Sequence, residues 1–280
     1  MPLIQLKQAQ LEVVQIAAPE SASPAKAPIV FLHEGLGSVA MWQSRAGFWP
    51  EQVCAATGRA GVVYSRRGYG QSQDIDDIRG ANRLPADYMH HEAWQVLPEL
   101  LEALHVKNPV LLGHSDGGTI ALLHAARFAL SACIVMAPHV MVEDVSIAAI
   151  EASREAFVSG DLRERLSRFH AHVDTAFWQW NDVWLSSEFR SFDIRNDCTQ
   201  IACDVLALQG IDDPTARCNK LTIFSPAQVA SHGAHCLVAH IRRTAINPSW
   251  CCKKCLTFCK TKLEFLLRQP TPLPWQHISR

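Results

Sequence analysis

Long apolar runs are missing from this sequence. No stretch of about 18 consecutive apolar residues occurs, and residues 1–11 lack the basic-then-apolar order of a secretory leader. These absences argue against a spanning helix and lead us to expect a cytoplasmic protein with no membrane partner. A strong charge of one sign is missing too. With a formal net charge of -1 and 19% charged residues, bulk attraction to nucleic acid is not expected. Internal repeats and low-complexity tracts are absent. Metal-site spacings are absent as well: His90 with His91, and His170 with His172, have no accompanying ligands at zinc-type intervals and are expected at the surface. Cys251, Cys252 and Cys255 have no matching second pair. Neither a metal nor a cofactor is expected, and the expected partner is a small-molecule substrate.

What is present is a chain of 280 residues, 48% apolar, long enough for one sizeable core with an insertion. Ten cysteines do not make it a disulfide scaffold, because such scaffolds are short secreted chains. Cys54, Cys133, Cys198 and Cys203 sit among apolar residues and are expected as buried thiols. The averages hide a break. Residues 1–213 carry 16 Lys+Arg and 26 Asp+Glu, whereas residues 214–280 carry 10 and 1, together with six of the ten cysteines.

Leu11–Ala17, Pro28–His33, Ala60–Ser65, Asn108–Gly113, Ser131–Ala137 and Asp204–Gln209 are short apolar runs bounded by turn residues, which suits strands. They are continuous rather than alternating, as in a parallel sheet covered on both faces. Asp87–His105 repeats Tyr88, Trp94, Leu97, Leu101 and Leu104 at helical spacing. This alternation predicts an α/β fold with a doubly wound, mostly parallel sheet and its site at the carboxyl ends of the strands. Glu143–Trp184 breaks the alternation with a helical, aromatic-rich stretch, read as a cap whose aromatics pack on the core. The expected division is core 1–139, cap 140–200, core strand and acid loop 201–213, and an atypical tail 214–280.

Val110–Ala121 reads as a strand, then Gly113-His114-Ser115-Asp116-Gly117, then a helix. A nucleophile held on so sharp a turn needs small neighbours, and a serine there stands at a helix amino terminus that favours developing negative charge. Ser115 is therefore the candidate nucleophile and the Asp116 N–H one oxyanion donor. The glycine-containing loop His33-Glu34-Gly35-Leu36-Gly37-Ser38 offers a second donor at Gly35 or Leu36. His33 and Glu34 read as structural, and Glu34, a charge beside an oxyanion, receives no catalytic role. A third glycine turn, Arg66-Arg67-Gly68-Tyr69-Gly70-Gln71-Ser72, follows another strand.

In this order the three motifs resemble those of the α/β-hydrolase fold family over residues 11–213. The resemblance implies an eight-stranded sheet, a variable cap, and a triad in the chain order Ser, Asp, His. It makes Asp213, three residues past Gly210, the expected acid, with Asp212 as the alternate. A serine where dehalogenases and epoxide hydrolases of this fold carry aspartate points to acyl chemistry on a small ester or lactone. Carbon–carbon bond hydrolysis and a catalytically dead binding protein are the alternatives. The base is not assigned: His232, His235, His240 and His277 follow no clear strand in the family's pattern. Together with the compositional break, this raises a shift of reading frame near Pro214. Read one base out of register, the codons available to His240–Pro248 permit a histidine segment about 28 residues past Asp213, where the triad order wants its base. On this reading the tail supplies no last strand, leaves the sheet edge unfinished, and makes the chain weakly active or inactive.

Overall fold

A computed structural model of the chain describes residues 2–20, 26–210 and, in backbone, 236–241. Its apolar runs become strands β1 (Leu3–Gln5), β2 (Gln10–Ile16), β3 (Ile29–Leu32), β6 (Gly61–Tyr64), β7 (Val110–His114), β8 (Ala132–Met136), β9 (Val205–Gly210) and β10 (Cys236–Ile241), with β4 (Gln43–Ser44) and β5 (Gly47–Phe48) forming a separate small hairpin. The large sheet has eight strands in the order β1-β2-β6-β3-β7-β8-β9-β10. β2 runs antiparallel to both β1 and β6, and the remaining pairs are parallel.

Successive residues of a strand face opposite sides, and here both sides are covered. Val30, Leu32, Val62, Tyr64, Leu111, Cys133, Val135, Val205 and Ala207 join the core on one face. Their neighbours Ile29, Phe31, Val63, Val110, Leu112, Ala132, Ile134, Leu206 and Leu208 join the core on the other, with Trp49, Val53 and Cys54 of α1 (Trp49–Thr57). The continuous runs thus mark two-faced burial. The helix after β7, α4 (Asp116–Ala125), is buried along its whole length.

The helix expected over Asp87–His105 is divided into α2 (Tyr88–His91), a wider π turn (Glu92–Val96) and α3 (Leu97–Ala103). Pro98, with no N–H to return to the carbonyl four residues back, accounts for the break. Between β8 and β9 the chain forms α5 (Asp144–Val158), α6 (Leu162–Ser167), α7 (Val173–Trp184) and α8 (Arg195–Cys198). Phe157 stacks on Phe177 at 3.7 Å, and Trp178 meets both rings edge-on. Among the described residues no helix is long and apolar enough to cross a membrane.

Two expectations need correction. The tail does supply a strand: Cys236–Ile241 pairs in parallel with Val205–Gly210 along its whole length and sets His240 opposite Gln209. An apolar Cys-Leu-Val-Ala run fits beside β9 whatever the composition around it. Asp212, Asp213, His232, His235, His277 and the remainder of 214–280 lie outside the described residues, and so does the rest of the frame-shift reading. His170, expected at the surface, is buried at 4% exposure, because the segment between α6 and α7 folds onto the carboxyl edge of the sheet.

Candidate active site

β6, β3, β7 and β8 are successive neighbours, and their carboxyl ends deliver Arg66, His33, Ser115 and His139 to one edge. Ser115 sits between β7 and α4 at φ 52, ψ -118, a backbone conformation that costs a non-glycine residue about 1–3 kcal/mol. The surroundings enforce it: the Ser115 N–H donates to the Met136 carbonyl on β8 (2.8 Å), and its carbonyl accepts from the Thr119 N–H (3.0 Å). Gly117 makes the turn possible, since a Cβ there would lie 2.2 Å from the Leu32 carbonyl oxygen and 2.5 Å from that of His33. The start of α4 is thereby set against the end of β3.

The Ser115 hydroxyl lies 3.2 Å from Nε2 of His139. Sequence reasoning missed this histidine, which follows β8 by three residues. Thr119 locks its backbone, accepting from the His139 N–H (2.9 Å) while donating to the His139 carbonyl (2.8 Å). Its ring stands edge-on to Trp184 at 4.8 Å. Trp184 in turn donates from Nε1 to the Tyr88 hydroxyl (3.2 Å), and Tyr88 donates to Oδ2 of Asp116 (2.5 Å). Burial raises the Asp116 carboxyl above the usual range, against the opposing pull of Arg66 and Tyr88.

The loop holding Gly35 and Leu36 is tied down through its carbonyls. Buried Arg66 donates from Nη1 to the His33 carbonyl (2.8 Å) and from Nη2 to the Glu34 carbonyl (3.0 Å). The Glu34 carbonyl also accepts from His33 Nδ1 (2.7 Å) and the Gly37 N–H (3.1 Å). In a trans peptide the N–H opposes the carbonyl, so fixing the Glu34 carbonyl fixes the direction of the Gly35 N–H. His33 is held neutral by burial and by Arg66, with its Nε2 accepting from the Arg66 N–H.

The side chain of Glu34 also has a partner. Its Oε2 lies 3.1 Å from Nδ1 of His114, so one pair joins the residue before Ser115 to the residue before Gly35. Desolvation would raise this carboxyl, but His114, Arg66 and His170 together hold it below the usual value. A small cavity of about 280 Å³ opens beside the pair and is lined by Met41, Trp42 and Phe169 among others. Among the described residues the cysteines contribute no nucleophile here: Cys54 and Cys133 are buried as expected, Cys198 and Cys203 only half-buried, and burial pushes the Cys54 and Cys203 thiols up to about 12.

Of the residues expected at the site, Ser115 at the turn before α4, Asp116 at the first position of α4, and Gly35 and Leu36 on the loop after β3 meet at this edge, whereas Asp213 and Asp212 fall outside the described residues. Comparison with known proteins bears on the family and the fold. Residues 29–244 match the alpha/beta hydrolase family, so the likeness runs beyond residue 213, where the motifs end. A 67-residue stretch is 39% identical to Serine hydrolase BPHL of Homo sapiens, taking in 24% of this chain and only 21% of that protein. Among solved structures, proline iminopeptidase of Mycobacterium smegmatis superposes with a TM-score of 0.67 at 14% identity, covering 95% of this chain and 98% of its own. The enol-lactonase of Burkholderia xenovorans LB400 gives 0.62 at 14% identity, covering 96% and 100%. At such identities the likeness is one of fold.

Proposed function

The chain belongs to the alpha/beta hydrolase family, and from that premise we propose that it is a serine hydrolase that cleaves small carboxylic esters or lactones through an acyl-enzyme on Ser115. The observation that carries the proposal is the Ser115 hydroxyl, held at a strained turn 3.2 Å from Nε2 of His139, within the reach a nucleophile and its base require. His139 takes the Ser115 proton as Oγ attacks the carbonyl carbon. The oxyanion rests on the N–H of Asp116 and that of Gly35 or Leu36. The carbon–oxygen bond to the leaving group then breaks and His139 returns the proton to the departing oxygen. Water, deprotonated by the same nitrogen, releases the acid and restores the Ser115 hydroxyl. Asp213, with Asp212 as alternate, is proposed as the carboxylate that steadies the imidazolium; the base then precedes the acid in the chain, a departure from the Ser, Asp, His order that the resemblance implies.

The test is a fluorophosphonate probe with a panel of short-chain aryl esters and lactones, run on the wild type, Ser115→Ala and His139→Ala. We expect a probe adduct at Ser115, found by mass spectrometry, and loss of turnover in both variants. Full labelling of Ser115→Ala at another serine would overturn the nucleophile, and ligand binding without turnover in the wild type would favour a binding protein. Asp213→Asn should keep the fold and lower turnover strongly. If Asp212→Asn alone does so, the neighbour is the acid.

A further inference from the structure

The short segment between α6 and α7 makes a dense set of polar contacts that the proposed reaction leaves unused. His170 uses both ring nitrogens: Nε2 donates to the Leu36 carbonyl (3.0 Å), and Nδ1 accepts from the Gly70 N–H (3.0 Å). A carbonyl only accepts and an N–H only donates, so these partners fix a single neutral tautomer. On either side, the Phe169 carbonyl accepts from the Ser38 hydroxyl (3.2 Å) and the Ala171 N–H donates to the Gly70 carbonyl (2.9 Å). A third grip comes from α7. Trp180 lies so close over Gly35 that a Cβ there would stand 2.1 Å from the indole Nε1.

The helical insertion therefore holds Gly35, Leu36 and Ser38, in the loop from which the second oxyanion donor is drawn. One side of that loop is gripped by Arg66 and His33 from the core, and the other by the insertion. The Leu36 carbonyl belongs to the same peptide as the Gly37 N–H, which bonds back to Glu34. Freeing this carbonyl would let the turn that carries the Gly35 and Leu36 N–H groups relax. A misplacement of about 1 Å at such a donor costs on the order of a hundredfold in rate.

We propose that His170 is a positioning residue for the oxyanion loop, a strut through which the insertion sets the donor geometry at Gly35 and Leu36. The inference rests on the reading of Ser115 as nucleophile, and the experiment separates the two. His170→Phe removes both bonds. His170→Gln can still donate to Leu36, and His170→Asn can still accept from Gly70 but cannot reach Leu36. Amide hydrogen exchange at residues 34–39, which needs no activity, should rise about tenfold or more in the Phe and Asn variants, remain near wild type in Gln, and leave α4 unchanged in all three. The fluorophosphonate labelling rate of Ser115 and kcat should fall about ten- to a hundredfold in Phe and Asn and recover in Gln, with KM moving less than about threefold.

Exchange that does not change, or that rises with no loss of labelling, overturns the inference. So does an equal loss in Gln and Asn, because the Leu36 bond would then not be the strut. Should His170→Phe fail to fold, the Gln and Asn pair alone decides. A wild type that never labels at Ser115 would sink the hydrolase reading while the exchange data still judged the strut.

Discussion

Mild acid should loosen this protein at the junction between the insertion and the Gly35 loop, through the buried imidazole of His170. Burial lowers its pKa from the 6.5 of an ordinary imidazole to about 4, with the Leu36 bond and Glu34 pulling weakly the other way. The groups facing it are the Glu34 carboxylate, His33 and, edge-on at 6.0 Å, the ring of Tyr69. Between pH 6.5 and about 4 the unfolded chain binds a proton that the folded chain refuses, so stability rises with pH in that window. The contribution is complete above pH 6.5 and is lost as the pH falls through about 4. At about 1.4 kcal/mol per pH unit the interval amounts to about 3 kcal/mol, a large share of a domain's total of about 5–15 kcal/mol. The assay is urea unfolding followed by tryptophan fluorescence at pH 7 and pH 4, on the wild type and His170→Gln. Other buried groups titrate in both proteins and largely cancel in the difference. The wild type should lose about 3 kcal/mol more than the variant on acidification. Equal losses would refute the reasoning, since His170 would then not be held neutral by its place in the fold.

The turn at Ser115 and the network beneath it yield three more expectations. His139→Gln should lower kcat/KM for an aryl ester by about 10²–10⁴ while leaving the unfolding midpoint nearly unchanged, and a rate within threefold of wild type would remove His139 as the base. Gly117→Ala drives a methyl group into the Leu32 and His33 carbonyls and should cost about 3 kcal/mol or prevent folding, read as a lower thermal midpoint; a neutral result would mean that α4 can shift from β3. Tyr88→Phe removes the hydroxyl that serves both Asp116 and Trp184, leaves a buried carboxyl short of a donor, and should cost about 1–3 kcal/mol in denaturant unfolding, with no loss meaning that water replaces it.

What was legible in the sequence was what local chemistry dictates. Continuous apolar runs announced strands covered on both faces, and the small residues around Ser115 announced a turn that tolerates no bulk. The glycine loop at Gly35 was visible for the same reason, although the indole of Trp180 that forbids a Cβ there could not be foreseen. His139 was within reach: it follows an expected strand through Ala137 and Pro138, at the edge where Ser115 was already placed, and only neighbouring strand order was lacking to connect them. His170 was not legible, because a His-Ala-His triplet reads the same whether solvent or a loop carbonyl faces it. The wider turn at Glu92–Val96 was legible in principle, since Pro98 withdraws a donor from an otherwise helical pattern. Composition misled at Cys236–Ile241, where the cationic, cysteine-rich surroundings obscured a short run able to pair beside β9.

The geometry of the site has a cause deeper than the motifs. Arg66 is buried at 4% exposure between two kinds of acceptor. Its guanidinium holds the His33 and Glu34 carbonyls, while its charge is offset by the neighbouring carboxyls of Asp116 and Glu92, both raised by burial and drawn back by this same arginine. A desolvated cation of this kind contributes little net stability, because its attractions are consumed in replacing water. What it supplies is direction. A planar fork bonded to two successive carbonyls admits one loop conformation, which a lysine's single point charge would not specify. Asp116 is at once the neighbour that offsets Arg66 and the residue whose N–H borders Ser115, so the helix start and the Gly35 loop are aligned by one buried charge from below. Trp180 and His170 close the loop from above. Under the proposed mechanism, changes in the insertion would therefore reach the chemistry without touching a substrate, since the donor assigned there belongs to the loop they hold.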